Sequence, residues 1–159
     1  MKAIFEPKSV AVIGASADSH KVGYGVLKNL KDGGFFMTHF NQPFRGEIFP
    51  VNLEEKEILG LKCYKSITQI KSAVDLAVIS VPAKIVLPVV KDCAKKRVKG
   101  IIIISAGFAE LGQEGKKLQD SIVDVVRKAK IPLIGPNCLG VINTHASLNA
   151  TFAPVMPPK

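Results

Sequence analysis

Four consecutive isoleucines, Ile101 to Ile104, stand between Gly100 and Ser105. Successive side chains of a strand point to opposite sides of its sheet, so a strand of this composition has no face to give to solvent. It has to be covered on both sides, which is the condition of a parallel sheet flanked by helices. Other runs follow the same rule. Val10-Ala11-Val12-Ile13 leads into Gly14, and Leu76-Ala77-Val78-Ile79 leads into Ser80. Weaker strands are expected over 47–52 and 131–135. Between the strands the apolar period changes to that of a helix. Residues 25–32, closed by Gly33-Gly34, form one such stretch. A second opens at Pro82 and places Ile85, Val86, Val89, Val90, Cys93 and Ala94 on one stripe. A third, over 116–130, aligns Leu118, Ile122, Val125, Val126 and Ala129. Repeated strand–helix–strand units predict an α/β fold, a doubly wound open parallel sheet with helices on both faces.

At 159 residues the chain is the size of one domain, and 47% apolar with 22% charged residues is a globular composition. Its 22 basic and 13 acidic residues give a formal charge of +9, which favours an anionic partner. Position matters more than the sum. Lys95, Lys96, Arg97, Lys99, Arg127, Lys128 and Lys130 fall late in helices, where they complement the helix dipole at the edge away from a ligand. Lys21, Lys56 and Lys84 fall near the ligand edge. Nucleic acid is not expected, because no basic stripe is interleaved with aromatics. No apolar run approaches the roughly 20 residues that span a bilayer, so no membrane partner is expected. The first eight residues do not read as a secretory signal. Three cysteines without a CxxC predict neither a disulfide framework nor a metal site, and a reducing, cytoplasmic setting is the expectation.

In an open parallel sheet the ligand lies beyond the carboxyl ends of the strands. Five segments therefore converge: Gly14-Ala15-Ser16, Val51-Asn52, Ser80-Val81-Pro82-Ala83, Ser105-Ala106-Gly107-Phe108 and Gly135-Pro136-Asn137-Cys138. They are small or backbone-exposing, with few acids, which suits phosphates resting on N–H groups. Gly14 permits a tight turn, Ser16 offers a hydroxyl and Lys21 a point charge. A tight strand-to-helix turn without a ligand is the alternative reading. The loop is neither GxGxxG, since Ser16 stands at the second glycine, nor a P-loop; and Val51-Asn52 replaces the acid that would hold a ribose. His20, His39 and His145 lack an acid or nucleophile pattern, and Cys138 reads either as a nucleophile or as a small buried residue. No catalytic or metal-binding group is assigned. Two segments break the rhythm. Residues 35–45 carry four phenylalanines, to pack on a partner subunit, as in a homo-oligomer, or on their own domain. Residues 153–159, with Pro154, Pro157 and Pro158, read as a linker to a further domain, leaving 1–152 as the folded unit.

These segments, with Gly60-Leu61-Lys62-Cys63-Tyr64 between them, occur in an order that resembles the coenzyme A-binding domain of the NDP-forming acyl-CoA synthetases, ADP-forming acetate–CoA ligases above all and the succinyl-CoA synthetase alpha subunit more distantly. The resemblance implies a Rossmann-like domain that holds CoA, a substrate, at the strand C-terminal edge. Gly14, Ala15, Ser16, Lys21 and Gly23 would hold its phosphates, and Val51 and Asn52 would line the nucleotide portion. Val81, Pro82 and Ala83 would flank adenosine or pantetheine; Ser105, Ala106 and Gly107 would contact the pantetheine arm; Asn137 would lie near the thiol. The family's phospho-histidine and ATP-grasp domains would be the partners, and this chain alone would bind CoA or acyl-CoA without ligating it. Residues 35–45 look like an insertion, and Lys56 is a loose match to a lysine of the succinyl enzymes. The alternatives are a stand-alone CoA-binding or regulatory module, an NAD(H)-binding sensor, and an interaction domain resting on 35–45.

Overall fold

The computed structural model describes residues 2–34, 41–154 and 157. In chain order these form α1 (Lys2–Phe5), β1 (Ser9–Ile13), α2 (Val22–Asp32), β2 (Glu47–Val51), β3 (Glu57–Ile58), β4 (Leu61–Lys62), β5 (Leu76–Ile79), α3 (Ala83–Lys96), β6 (Gly100–Ile103), α4 (Gln113–Ala129), β7 (Leu133–Ile134), β8 (Gly140–Asn143) and β9 (Leu148–Thr151). A five-stranded sheet runs in the order β2-β1-β5-β6-β7, every neighbour parallel. The chain leaves β1 for β2 on one side and returns to β5 on the other. The switch point of this Rossmann-like fold is therefore the gap between the ends of β1 and β5, where Gly14 meets Ser80.

The isoleucine run behaves as its composition demands. Ile101, Ile102 and Ile103 are fully buried, each worth roughly 1.5–3 kcal/mol relative to exposure. They point alternately into two cores. Ala11, Ile13, Ala77, Ile79, Ile101 and Ile103 pack with α3 and α4. Val10, Val12, Leu76, Val78, Ile102 and Ile104 pack with Ile4, with α2 through Val26, Leu27 and Leu30, and with Val141, Leu148 and Ala150. The second face is thus closed partly by an antiparallel β8–β9 hairpin, which the sequence reading did not anticipate. Phe44 also sits in this second core, and its N–H donates to the Leu30 carbonyl at 2.8 Å. That part of 35–45 packs on its own domain; residues 35–40 lie outside the described residues. So does most of 153–159, although Ala153 is tied down, its N–H donating to Thr151 Oγ1 at 3.0 Å.

Two helices begin earlier than expected, for a common reason. Helix α2 starts at Val22 rather than residue 25, and α4 at Gln113 rather than 116. Each carries a glycine in its first turns that reads as a helix breaker. A Cβ on Gly23 would lie 1.9 Å from the Gly14 carbonyl oxygen, and one on Gly115 would lie 1.9 Å from that of Phe108. The glycines are there for close approach, which outweighs their helix penalty of about 1 kcal/mol. The connection from β2 to β5 holds no helix, only the β3–β4 hairpin and a 3-10 turn at Ile67–Gln69. Among the described residues no helix is long and apolar enough to cross a membrane.

Candidate ligand-binding rim

Two clefts open at the carboxyl edge of the sheet and abut at Val81, which lines both. The first, about 470 Å³, lies where the missing crossover helix leaves α3 uncovered. Its wall on α3 is the stripe Ile85, Val89 and Asp92, one and two turns apart. Its floor is Ile13, Gly14, Val51 and Ile67, and Asn52, Leu53, Glu54, Lys65 and Ser66 complete the rim. The second, about 550 Å³, lies between the starts of α2 and α3 and the loops after β6 and β7. Ser80, Pro82, Ser105, Ala106, Asn137 and Cys138 line it, with Val22, Leu139 and Phe152 at its margin.

Of the residues the sequence nominated, Gly14, Val51, Asn52 and Val81 line the first cleft; Val81, Pro82, Ser105, Ala106 and Asn137 line the second. Several also carry structural duties. Gly14 adopts φ +90°, and a Cβ there would fall 2.6 Å from the Ser80 carbonyl oxygen, so only glycine joins β1 to β5 this closely. Its N–H is spent on the Val51 carbonyl at 3.0 Å. Gly23 is buried against Gly14, which gives it a packing duty. The N–H groups of Ala15, Ser16, Val81, Ser105 and Ala106 make no hydrogen bond to protein among the described residues. Val81, Ser105 and Ala106 line the second cleft, whereas Ala15 and Ser16 are buried at the β1 turn and, like Lys21, line neither cleft. Ser16 Oγ accepts from the Asp18 N–H at 3.1 Å, which leaves its O–H to donate. Lys21 is exposed at the N-cap of α2, in extended conformation. Ala83 begins α3 and Gly107 follows Ala106, but neither lines a cleft: a Cβ on Gly107 would meet the Ala83 Cβ at 2.9 Å.

Asn52 organises the rim. Its Nδ2 donates to the Ala15 carbonyl at 2.8 Å, and its Oδ1 accepts from the Glu54 and Glu55 N–H groups at 2.8 and 3.1 Å. Asn52 ties β2 to the glycine loop and presents no spare polar atom in quantity. Ser105 is engaged likewise, donating from Oγ to the Val81 carbonyl at 2.6 Å. Cys138 donates to the Ile103 carbonyl at 3.3 Å and burial pushes its thiol up, which opposes the nucleophile reading. His20 is exposed, and its N–H donates to Asp18 Oδ1 at 2.9 Å. Gly107 donates to Glu110 Oε1 at 2.6 Å; that bond, first among several to backbone, holds the Glu110 carboxyl below its usual range.

Sequence reasoning missed Lys65, which lines the first cleft, whereas Lys56 and Lys84, exposed like it, line neither. It also missed the apolar margin. Leu53 (75% exposed), Ile85 (40%), Val22 (39%), Leu139 (51%) and Phe152 (42%) are large side chains left at the cleft rims. Exposed apolar groups gathered around concavities mark ligand surfaces.

Residues 8–144 match the family described as the CoA binding domain. The chain is 49% identical over its whole length to the ADP-forming acetate–CoA ligase of Methanocaldococcus jannaschii, covering 21% of that protein. It is 47% identical over 95% of its length to subunit alpha of the ADP-forming acetate–CoA ligase II of Pyrococcus furiosus, covering 31% of it. A solved structure of the dinucleotide forming acetyl-coenzyme A synthetase 1 of Ca. Korarchaeum cryptofilum, in complex with phosphate and ADP, superposes with a TM-score of 0.85 at 37% identity, over 96% of this chain and 31% of that one. The chain thus spans a fifth to a third of the length of these relatives. The rim geometry and the match along 8–144 agree, and the chain belongs to the CoA-binding domain family.

Proposed function

We propose that this chain is the CoA-binding domain of an ADP-forming acyl-CoA ligase. CoA lies along the rim, its nucleotide in the first cleft beside Val51 and Asn52 and its pantetheine arm in the second beside Ser105, Ala106 and Asn137. Its phosphates rest between them on the Ala15 and Ser16 N–H groups, the Ser16 hydroxyl and Lys21. The observation that supports this most directly is the arrangement itself: two clefts meeting at Val81, with N–H groups unspent at Val81, Ser105 and Ala106 and the glycine loop of Ala15 and Ser16 beside them. A nucleotide with a long apolar-and-amide arm needs two compartments joined by anion donors. The rim binds and orients; it holds no pair of groups placed for acid–base work among the described residues. Phospho-histidine and ATP-grasp domains, in the same protein or as a separate subunit, are the proposed partners for ligation, and the 159-residue chain binds CoA without catalysing it.

Calorimetry tests this reading. CoA is expected to bind and NADH to bind far more weakly, since Val51-Asn52 stands at the end of β2 where a dinucleotide site carries its acid. No heat with millimolar CoA, or equal affinity for NADH, overturns it. Ser16→Glu puts a like charge where the phosphates rest and is expected to weaken CoA by roughly tenfold or more; unchanged affinity removes the phosphate assignment.

A further inference from the structure

Phe152 is a large aromatic side chain left 42% exposed at the margin of the second cleft. Its backbone, by contrast, is held on both sides from within the core. Asn29 on α2, 1% exposed, donates from one Nδ2 to the Thr151 carbonyl and the Ala153 carbonyl, each at 2.8 Å. Thr151 Oγ1 donates to Asn149 Oδ1 at 2.7 Å and accepts from the Ala153 N–H at 3.0 Å. Asn149 Nδ2 reaches back to the Gly33 carbonyl at 3.4 Å. Gly25 lies beneath the ring's stem, where a Cβ would come within 3.5 Å of the Phe152 Cβ.

This cluster is a poor bargain for stability. The Asn29 Oδ1 is buried and has no hydrogen-bond partner among the described residues, a state that lowers stability. An apolar residue on α2 would avoid that cost. What Asn29 alone supplies is two donors aimed at the carbonyls flanking Phe152. Phe152 lines the cleft together with the apolar Val22 and Leu139 and the polar Ser105 and Asn137.

We infer that Phe152 is a binding residue for the pantetheine arm of CoA, and that Asn29, with Thr151 and Asn149, is the positioning clamp that fixes the ring over the cleft. This rests on the CoA reading of the same rim. The arm's methyl and methylene groups lie on the aromatic ring while its amides meet the polar residues.

The test uses two probes on the 159-residue chain: CoA, and adenosine 3′,5′-bisphosphate, which keeps the nucleotide but lacks the arm. Phe152→Ala, at an exposed position, is expected to weaken CoA roughly tenfold and leave the bisphosphate unchanged; Phe152→Tyr keeps CoA affinity within about twofold. Asn29→Ala lowers Tm and weakens CoA, again without changing the bisphosphate, a split that a merely structural role would not produce. If wild type binds CoA and Phe152→Ala binds it equally, or loses both probes alike, the assignment falls while the CoA reading stands. If wild type binds no CoA, both fall.

Discussion

At the amino edge of the central sheet, polar groups are matched one to one. Asp75 Oδ2 accepts the Lys8 N–H at 2.8 Å, its Oδ1 pairs with Lys99 Nζ at 2.8 Å, and its own N–H donates to Ser9 Oγ, which in turn donates to the Ala73 carbonyl at 3.0 Å. At the carboxyl edge of the same strands, N–H groups at Ala15, Ser16 and Val81 are left unspent and large apolar side chains are left in water. One end of β1 and β5 is closed, the other kept open. Unspent donors and exposed apolar area cost stability, so a fold that concentrates them at the switch point, and satisfies the opposite edge, separates a stabilising edge from the one proposed for CoA.

Substitutions that respect or violate this division make it measurable. The largest effect is expected where the two roles coincide. Gly23→Ala drives a Cβ to 1.9 Å from the Gly14 carbonyl oxygen, and backbone on both sides must give. It is expected to cost about 3 kcal/mol, lowering Tm by on the order of 10 °C, and to abolish CoA binding with it; calorimetric melting and titration of the same sample check both.

Asp75→Asn comes next and is confined to the closed edge. Burial opposes ionisation of Asp75, but the Lys99 ammonium and the Lys8 N–H outweigh it and hold the carboxyl below the usual range. Its side chain is 11% exposed, so solvent screens little of the loss, about 2 kcal/mol. A carboxyl depressed in the folded state stabilises above its unfolded value of about 3.9, and this contribution disappears as pH falls through the lower folded value. Wild type should therefore lose stability on acidification below about pH 4, and Asp75→Asn should lack that increment while binding CoA as wild type does. Denaturant melts across pH read the first, titration at neutral pH the second.

The smallest effect belongs to the open edge. Lys21 is exposed and makes no side-chain cap. Lys21→Ala is expected to leave Tm unchanged and weaken CoA about threefold, with the difference fading as salt rises and the charge is screened. Titrations at low and high ionic strength check it.

The same division explains what the sequence disclosed. Strands such as Ile101–Ile104 were legible because a residue buried on both faces leaves no choice of composition, and Gly14 was legible because a turn between adjacent parallel strands needs it. The start of α2 was not, because Gly23 reads as a breaker until its contact with Gly14 is known. The β8–β9 hairpin was hidden by the shortness of its strands: Leu148-Asn149-Ala150-Thr151 alternates apolar with polar, but over four residues only, and its polar members Asn149 and Thr151 are buried instead of facing solvent. The usable signal was the polar turn Asn143-Thr144-His145 between two short β-rich runs. The cleft-lining residues that the sequence named, Gly14, Val51, Asn52, Val81, Pro82, Ser105, Ala106 and Asn137, follow strand ends and are placed by the backbone. Those it missed, Ile85, Leu139 and Phe152, matter through where a helix face or a hairpin end places a side chain, and no local pattern encodes that.

Amide chemical-shift mapping of the chain titrated with CoA tests the division most directly. Perturbations are expected at Ala15, Ser16, Val81, Ser105, Ala106 and Phe152, with Ser9, Asp75 and Lys99 unmoved. Shifts centred on the Ser9–Asp75 edge, or none at saturating CoA, would contradict it.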